Sequence, residues 1–380
     1  MKLALFVHEL FYEIGHSKAL IEYIRHLPQD QISELHLVVY ETADPSQLFP
    51  QFKGKVIVHQ IEGNGLKPSL VRFSWYHVRS WFISKALSPD VIKIGIGVAS
   101  IAVDIVNIQF IHRQWSQRYF AQNQANMVTT IYKKILFAYL NMCEDFLFKK
   151  TTTRFLVIAD FLKSALQKDF HIDEAKIAVA HSSADTSFFA PSPLSRENLY
   201  SQMVKSYPSL QGLDLTQPIA LFVGAFQRKG LPRLLKEMGQ GTDQHFQLIA
   251  VGRSEKGHTL QIPPNVTFKE VSFTKELPLF YSLADAFIFP TEYEPYGLVI
   301  VEAAVMGLMV LVTQEEVGAS EVLDNLSGIH LFSRYAPIPL NELRCLAPGE
   351  REKWRHERLE HLKKSDWTVA AQKLVELLKK

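Results

Sequence analysis

Short apolar runs alternate with longer amphipathic segments along the whole 380-residue chain. In the first half the runs predict strands at 2–7, 35–40, 55–60, 90–94, 105–111, 155–159 and 177–180. Between them, apolar residues at helical spacing predict helices at 15–27, 69–86, 124–149 and 160–169. The pattern breaks from 189 to 218, where Pro191, Pro193, Pro208, Gly212 and Pro218 accumulate. It restarts with a strand at 219–223 and a helix from about 231, followed by strands at 246–251, 266–271, 285–289, 308–312 and 329–332. A charged helix around 349–363 and an amphipathic one over 365–378 end the series. This alternation predicts an α/β chain of βαβ units with mainly parallel sheets.

A chain this long exceeds what one hydrophobic core usually supports, so two domains are expected. The boundaries fall at 1–200, a linker over 201–218, a second domain at 219–362 and a last helical segment at 363–380. Two similar α/β halves predict a ligand cleft between them. Hydrophobic residues make up 47% and charged residues 21%, as in ordinary soluble proteins, and 41 basic against 39 acidic residues give no push toward nucleic acid. Cys143 and Cys345 are the only cysteines, which argues against a disulfide framework and a zinc site. Neither apolar stretch, 91–106 or 297–312, reaches the ~18 clean residues of a membrane span, and the start is too briefly apolar for a secretory signal. The expected location is cytoplasmic.

Charge distribution changes this picture more than its total does. From Lys67 to Arg154, twelve Lys/Arg stand against four acids, an excess of eight positive charges, interleaved with aromatics such as Trp75, Trp81, Phe82, Trp115 and Tyr119. A basic, aromatic, helical surface can lie on an anionic membrane, here the inner face of the plasma membrane. The competing reading is a pair of amphipathic helices with aromatics in the core and charges in water. The sequence leaves both open.

Candidate chemistry gathers in the second half. Phe222-Val-Gly224-Ala-Phe-Gln-Arg228-Lys229-Gly230 follows a strand and precedes a helix, a place where glycines admit a ligand and cations suit phosphate. It is neither a Walker loop nor GxGxxG. Further on, Glu294-Pro-Tyr-Gly-Leu-Val-Ile-Val-Glu302 sets two carboxylates at a strand-to-helix junction in apolar surroundings. Charges buried there without partners would be costly, so the pattern points to a hydroxyl-bearing ligand. If the helix begins near Tyr296, the amides of Tyr296, Gly297 and Leu298 form an anion-binding cup, with Pro295 suited to the first helical position.

The segment 285–307 closely resembles the donor-binding signature of the family 4 retaining glycosyltransferases. Residues 222–230 resemble that family's second donor-site motif, 317–322 its downstream glycine loop, and 155–189 the end of its N-terminal domain. The resemblance implies a GT-B fold, two Rossmann-like domains with parallel sheets facing across a cleft, and a final helix crossing back to the first domain. It implies a metal-independent retaining transfer from a nucleotide diphosphate-sugar, a UDP-sugar by preference, with no permanently bound cofactor. By matching positions, Glu294 would hold sugar hydroxyls, Glu302 the ribose, and Tyr296, Gly297 and Leu298 the sugar and phosphate. Arg228 and Lys229, after Gly224, would stabilise the leaving diphosphate. Gly15 would lie over the diphosphate, His112 beside the sugar and Val271 against the base.

The acceptor expected from the basic first half and from such relatives is a cell-envelope glycan or lipid-linked hydroxyl. The chain departs from the family pattern at the single Gly15, at Ala225, at Ser182-Ser183 and at Met309. The departures at Gly15, Ala225 and Ser182-Ser183 support the alternative of a catalytically silent sugar-nucleotide-binding or scaffold protein. A soluble small-molecule acceptor is a third reading.

Overall fold

The computed structural model describes residues 1–122, 127–240, 244–255 and 258–379. Residues 124–126 of the expected helix 124–149, and residue 380 of the last segment, lie outside the described residues. The chain divides into two compact units, Met1–Ser182 with the segment from Trp367 onward, and Ser183–Asp366.

In the first unit seven parallel strands lie side by side in the order Lys55–Gln60, Glu34–Val39, Lys2–Phe6, Val91–Ile96, Ile105–Ile108, Arg154–Val157 and Ile177–Val179. The strand Lys2–Phe6 lies inside the sheet beside the central Val91–Ile96, and Leu3, Leu5, Phe6, Leu37, Val38 and Ile94 are fully buried because helices cover both faces. The last helix, Trp367–Lys379, packs on the helix Gly15–Arg25 and on the last two strands of this sheet. Tyr23 meets Trp367 edge-on at 5.6 Å and donates its hydroxyl to the Ala180 carbonyl at 2.8 Å.

The second unit carries six parallel strands in the order Val266–Val271, Phe246–Arg253, Ile219–Ala225, Ala286–Phe289, Met309–Thr313 and Ile329–Phe332. Numbered along the chain this is the doubly wound order 3-2-1-4-5-6, which reverses direction between Ile219–Ala225 and Ala286–Phe289. In such sheets ligands bind beyond the carboxyl ends of the strands at that reversal. The loops that begin there are the ones carrying Lys229 and Glu294.

Residues 201–218, expected as a linker, are folded into the second unit, and the chain passes between units earlier, at Ser182–Ser183. The helix Arg196–Ser206 is capped by Ser195, whose hydroxyl accepts the Asn198 amide at 3.3 Å, and it buries Leu199 and Met203. The prolines that broke the apolar pattern all fall outside that helix.

Candidate active site

Two turns build the centre of the site. After the strand Ile219–Ala225 the chain reverses through residues 226–230 into the helix Leu231–Met238. Gly230 has φ 89°, and a Cβ added there would lie 2.2 Å from the Pro290 carbonyl oxygen. Gly252, on the neighbouring strand, faces the Gly224 carbonyl so closely that its Cβ would lie 1.9 Å away. Gln227 ties the turn to this strand end by accepting the Glu255 amide at 2.7 Å. Gly252 escaped the sequence reading, although Val251-Gly252 repeats Val223-Gly224 one strand over.

The second turn, residues 290–297, follows the strand Ala286–Phe289. Glu294 pairs like a strand residue with Val317: its amide donates to the Glu316 carbonyl at 3.0 Å, and its carbonyl accepts the Gly318 amide at 3.1 Å. The Tyr296 carbonyl accepts the Ala319 amide at 2.8 Å. The helix therefore starts at Leu298, later than expected, with Gly297 (φ 90°) as its N-cap. A left-handed glycine cannot belong to a right-handed helix, so Pro295 and Tyr296 are loop residues. The helical amides without intrahelical acceptors now begin at Leu298 and Val299 rather than at Tyr296.

The structure brings Lys229 and Glu294 into direct contact: the ammonium of Lys229 forms an ion pair with Glu294 Oε2. Lys229 is buried and also lies 5.6 Å from the Phe289 ring centroid. Burial, and then the neighbouring Arg228 guanidinium, push the Lys229 pKa down. Contact with the Glu294 carboxylate opposes that shift by favouring the charged form. Arg228 stands exposed beside it.

Glu302 is buried in the second turn of the helix Leu298–Val305, and the Tyr281 hydroxyl lies 3.3 Å from its Oε2. Tyr281 is fully buried, and burial followed by the Glu302 charge raises its pKa well above the usual value. The sequence reading did not single out Tyr281. Val271 ends the strand Val266–Val271 and is buried.

Gly15 and His112 belong to the first unit. Gly15 begins the helix Gly15–Arg25, and a Cβ there would meet nothing within 4 Å. The strand expected over 105–111 ends at Ile108, and His112 opens the helix His112–Gln122. Its ring stands edge-on to Phe110 at 5.2 Å. Burial and the nearby His77 push its pKa down to about 4, so the imidazole is neutral near pH 7. His8, which the sequence reading passed over, is packed 4.4 Å from Tyr76 and 5.1 Å from Phe73. Among the described residues its buried Nε2 has no hydrogen-bond partner.

Residues 217–336 match the family described as "Glycosyl transferases group 1". The O-antigen chain mannosyltransferase RfbU of Salmonella typhimurium is 27% identical over 178 residues, covering 45% of this chain and 44% of that protein. The chain thus aligns with less than half the length of that curated relative. Among solved structures, WaaG, a glycosyltransferase involved in lipopolysaccharide biosynthesis, superposes with a TM-score of 0.68 at 15% identity, over 98% of this chain and 93% of that one. Anabaena Alr3699/HepE in complex with UDP-glucose gives 0.62 at 14% identity, over 100% and 99%. At these identities the structural likeness concerns the fold. Residues 217–336 thus carry the match to glycosyl transferases group 1, and the whole chain shares the GT-B fold of these glycosyltransferase structures.

Proposed function

We propose that the protein transfers a sugar from a nucleoside diphosphate-sugar to a hydroxyl of a cell-envelope glycan or lipid-linked acceptor, with retention at the anomeric carbon and without an essential metal. The observation that carries this reading is the Lys229–Glu294 ion pair at the strand reversal, next to the helix start at Gly297–Leu298. A diphosphate needs cations and amides, a sugar needs carboxylate acceptors, and the two turns supply both. A UDP-sugar is the proposed donor, as in the complex formed by Alr3699/HepE.

In this reading Lys229, Arg228 and the Leu298 amide bind the diphosphate, beside the turn at Gly224, while Glu294 accepts from sugar hydroxyls. Tyr296 and Gly297 line the sugar, Glu302 accepts from the ribose, and Val271 lies against the base. The family resemblance assigns Gly15 a diphosphate-side role and His112, whose imidazole is neutral, a sugar-side role, and the proposal keeps both. The bond from the anomeric carbon to the phosphate oxygen breaks, and its electron pair leaves on the diphosphate. The acceptor oxygen bonds that carbon, and its proton passes to the departing phosphate oxygen. Charge on that oxygen is what Lys229 and Arg228 stabilise, in place of a metal ion.

The acceptor side of the proposal includes an anionic membrane surface. No helix among the described residues is long and apolar enough to cross a membrane. The helices Ser69–Ala86 and Met127–Lys149 pack on each other and leave an apolar stripe outside: Val71, Trp75, Val78 and Phe82 on one, Ile131, Ile135, Met142 and Phe146 on the other. The exposed charges alongside are Arg79, Lys85, Lys134 and Lys149. The two acids of these helices are withdrawn, Glu144 by burial and Asp145 by pairing with Arg113. An apolar stripe with cationic margins suits anionic lipid headgroups.

Donor hydrolysis and transfer with UDP-, GDP- and ADP-sugars, with and without lipid extract, test the reading. Turnover of one donor is the expected result. Nucleotide-sugar binding with no turnover under any condition would favour the silent binding protein that Ala225 and Ser182-Ser183 leave conceivable.

A further inference from the structure

Glu144 is a carboxylate that the proposed chemistry leaves without a task. It sits on the helix Met127–Lys149, 1% exposed. Its Oε1 accepts the His112 amide at 2.8 Å and its Oε2 accepts the Arg113 amide at 3.1 Å. These are the first two residues of the helix His112–Gln122, whose opening amides have no acceptor within their own helix. A carboxylate from a different helix thus does the work that a local N-cap residue ordinarily does. Both of its oxygens are committed, one to each amide.

We propose that Glu144 is a positioning residue, which fixes the imidazole of His112 by clamping the backbone from which it projects. The proposal rests on the reading of His112 as a sugar-side residue. The clamp is short, buried and bidentate, so it sets both the direction and the starting residue of the helix. The ring is then held from its own backbone and from its edge-on contact with Phe110. No flexible loop intervenes between the clamp and the ring.

The charged groups acting on Glu144 are Arg113, on the helix it caps, and Asp145, on its own helix, and these two pair with each other. His112, on the capped helix, interacts with His77 of the helix Ser69–Ala86, and both imidazoles have lowered pKa values and are neutral near pH 7. Burial is the dominant influence and raises the Glu144 carboxyl to about 7, against the pull of the two amides. The sign follows directly: below about pH 7 the carboxyl takes a proton, one oxygen becomes a donor, and one amide is released. Above it the clamp is complete.

The full-length protein labelled with 13C,15N-histidine provides the test, the His112 signal being assigned with a His112→Asn sample. In wild type the His112 resonance is expected to shift through a transition near pH 7, although its own ring titrates far lower. In Glu144→Gln the transition disappears. In the same variant kcat is expected to fall ~10- to 100-fold, as displaced catalytic groups commonly cost, with donor KM within about twofold and the acid limb of the kcat profile lost. Glu144→Asp should recover part of the rate. An unmoved His112 signal and unchanged kcat in a folded, UDP-binding Glu144→Gln protein would overturn the proposal. Should Glu144→Gln fail to fold, Glu144→Asp decides: its shorter carboxylate cannot reach both amides at once, so an unmoved His112 signal with wild-type kcat in that variant sinks the clamp. Absence of transfer in wild type would refute the functional reading, whereas the histidine titration judges the clamp independently of activity.

Discussion

Gly230 lies so close to Pro290 that the turn carrying Lys229 and the loop carrying Glu294 are effectively one wall. The obstacle to any side chain at 230 is a backbone carbonyl, which cannot swing away as a flexible side chain could. Its φ of 89° adds backbone strain for any other residue. Gly230→Ala should therefore separate the two turns rather than tip a side chain aside. We expect a destabilisation of about 1–3 kcal/mol from the strained backbone alone, with donor affinity lost by more than that stability change explains. Thermal unfolding and calorimetric titration with UDP, run on the same sample, measure both. A variant that binds UDP as wild type does would show that the two turns need not touch.

The ion pair within that wall makes a sharper claim. Lys229 is buried, so the diphosphate it would meet is a stronger partner than water, and the Glu294 carboxylate holds its charge until then. Lys229→Ala and Glu294→Ala should each cut transfer by ~100- to 1,000-fold, the usual loss when a charge-stabilising group is removed. Lys229→Ala should weaken UDP binding, whereas Glu294→Ala should spare UDP and weaken only the intact sugar donor. Steady-state kinetics together with UDP and UDP-sugar titrations separate the two roles. Wild-type rates in either variant would falsify the site assignment.

The strands were readable from the chain because both faces of each parallel sheet are covered. Runs such as 219–223 and 308–312 are apolar without interruption. The start of the helix Leu298–Val305 was less readable, since Pro295 suits a first helical position, and the left-handed Gly297 and the pairing of Glu294 with Val317 together rule it out. The helix His112–Gln122 was missed for a related reason. Its cap is Glu144, far along the sequence, so the local stretch His112-Arg-Gln-Trp-Ser carries no start signal. The Lys229–Glu294 contact follows from the order of strands, which no local pattern encodes. The helix Arg196–Ser206 did carry a local signal, Ser195 followed by Asn198, which the surrounding prolines outweighed.

The apolar stripe on the helices Ser69–Ala86 and Met127–Lys149 predicts two separable contributions to membrane binding. Lys134→Gln with Lys149→Gln should weaken flotation with anionic vesicles at low salt and matter little at high salt, where headgroup attraction is screened. Phe82→Ser with Phe146→Ser should weaken it at every salt concentration, because buried apolar area is not screened. Both side chains are more than half exposed, at 60% and 53%, so neither change should disturb the core. Equal flotation of all variants would remove the membrane from the functional reading.

The buried imidazoles predict how the first unit responds to acid. Burial, chiefly, lowers His8 to about 3 and His112 to about 4, both below the 6.5 of an unfolded chain. Between those values the unfolded chain binds protons that the folded one does not, so stability falls as pH drops below 6.5. Glu144 works the other way: its folded value of about 7 lies above 4.5, so the folded state gains a proton in that window and stability rises on acidification. His77 and His16, also lowered chiefly by burial, add to His8 and His112 against the one carboxyl, and the net expectation is a Tm that declines from pH 6.5 to pH 5. Glu350, held down to about 2 by Arg344, adds to the decline only toward pH 5, where the unfolded carboxyl begins to take a proton. His8→Phe isolates one share of the decline, because a phenyl ring can pack against Tyr76 and Phe73 and its site has no hydrogen bond at Nε2 to lose. Its Tm loss between pH 6.5 and 5 should be smaller than that of wild type by at least ~3 °C, the order expected for about 1 kcal/mol. Parallel slopes for the two proteins would mean that His8 accepts its proton in the folded state, and hence that water or a counter-charge reaches it there.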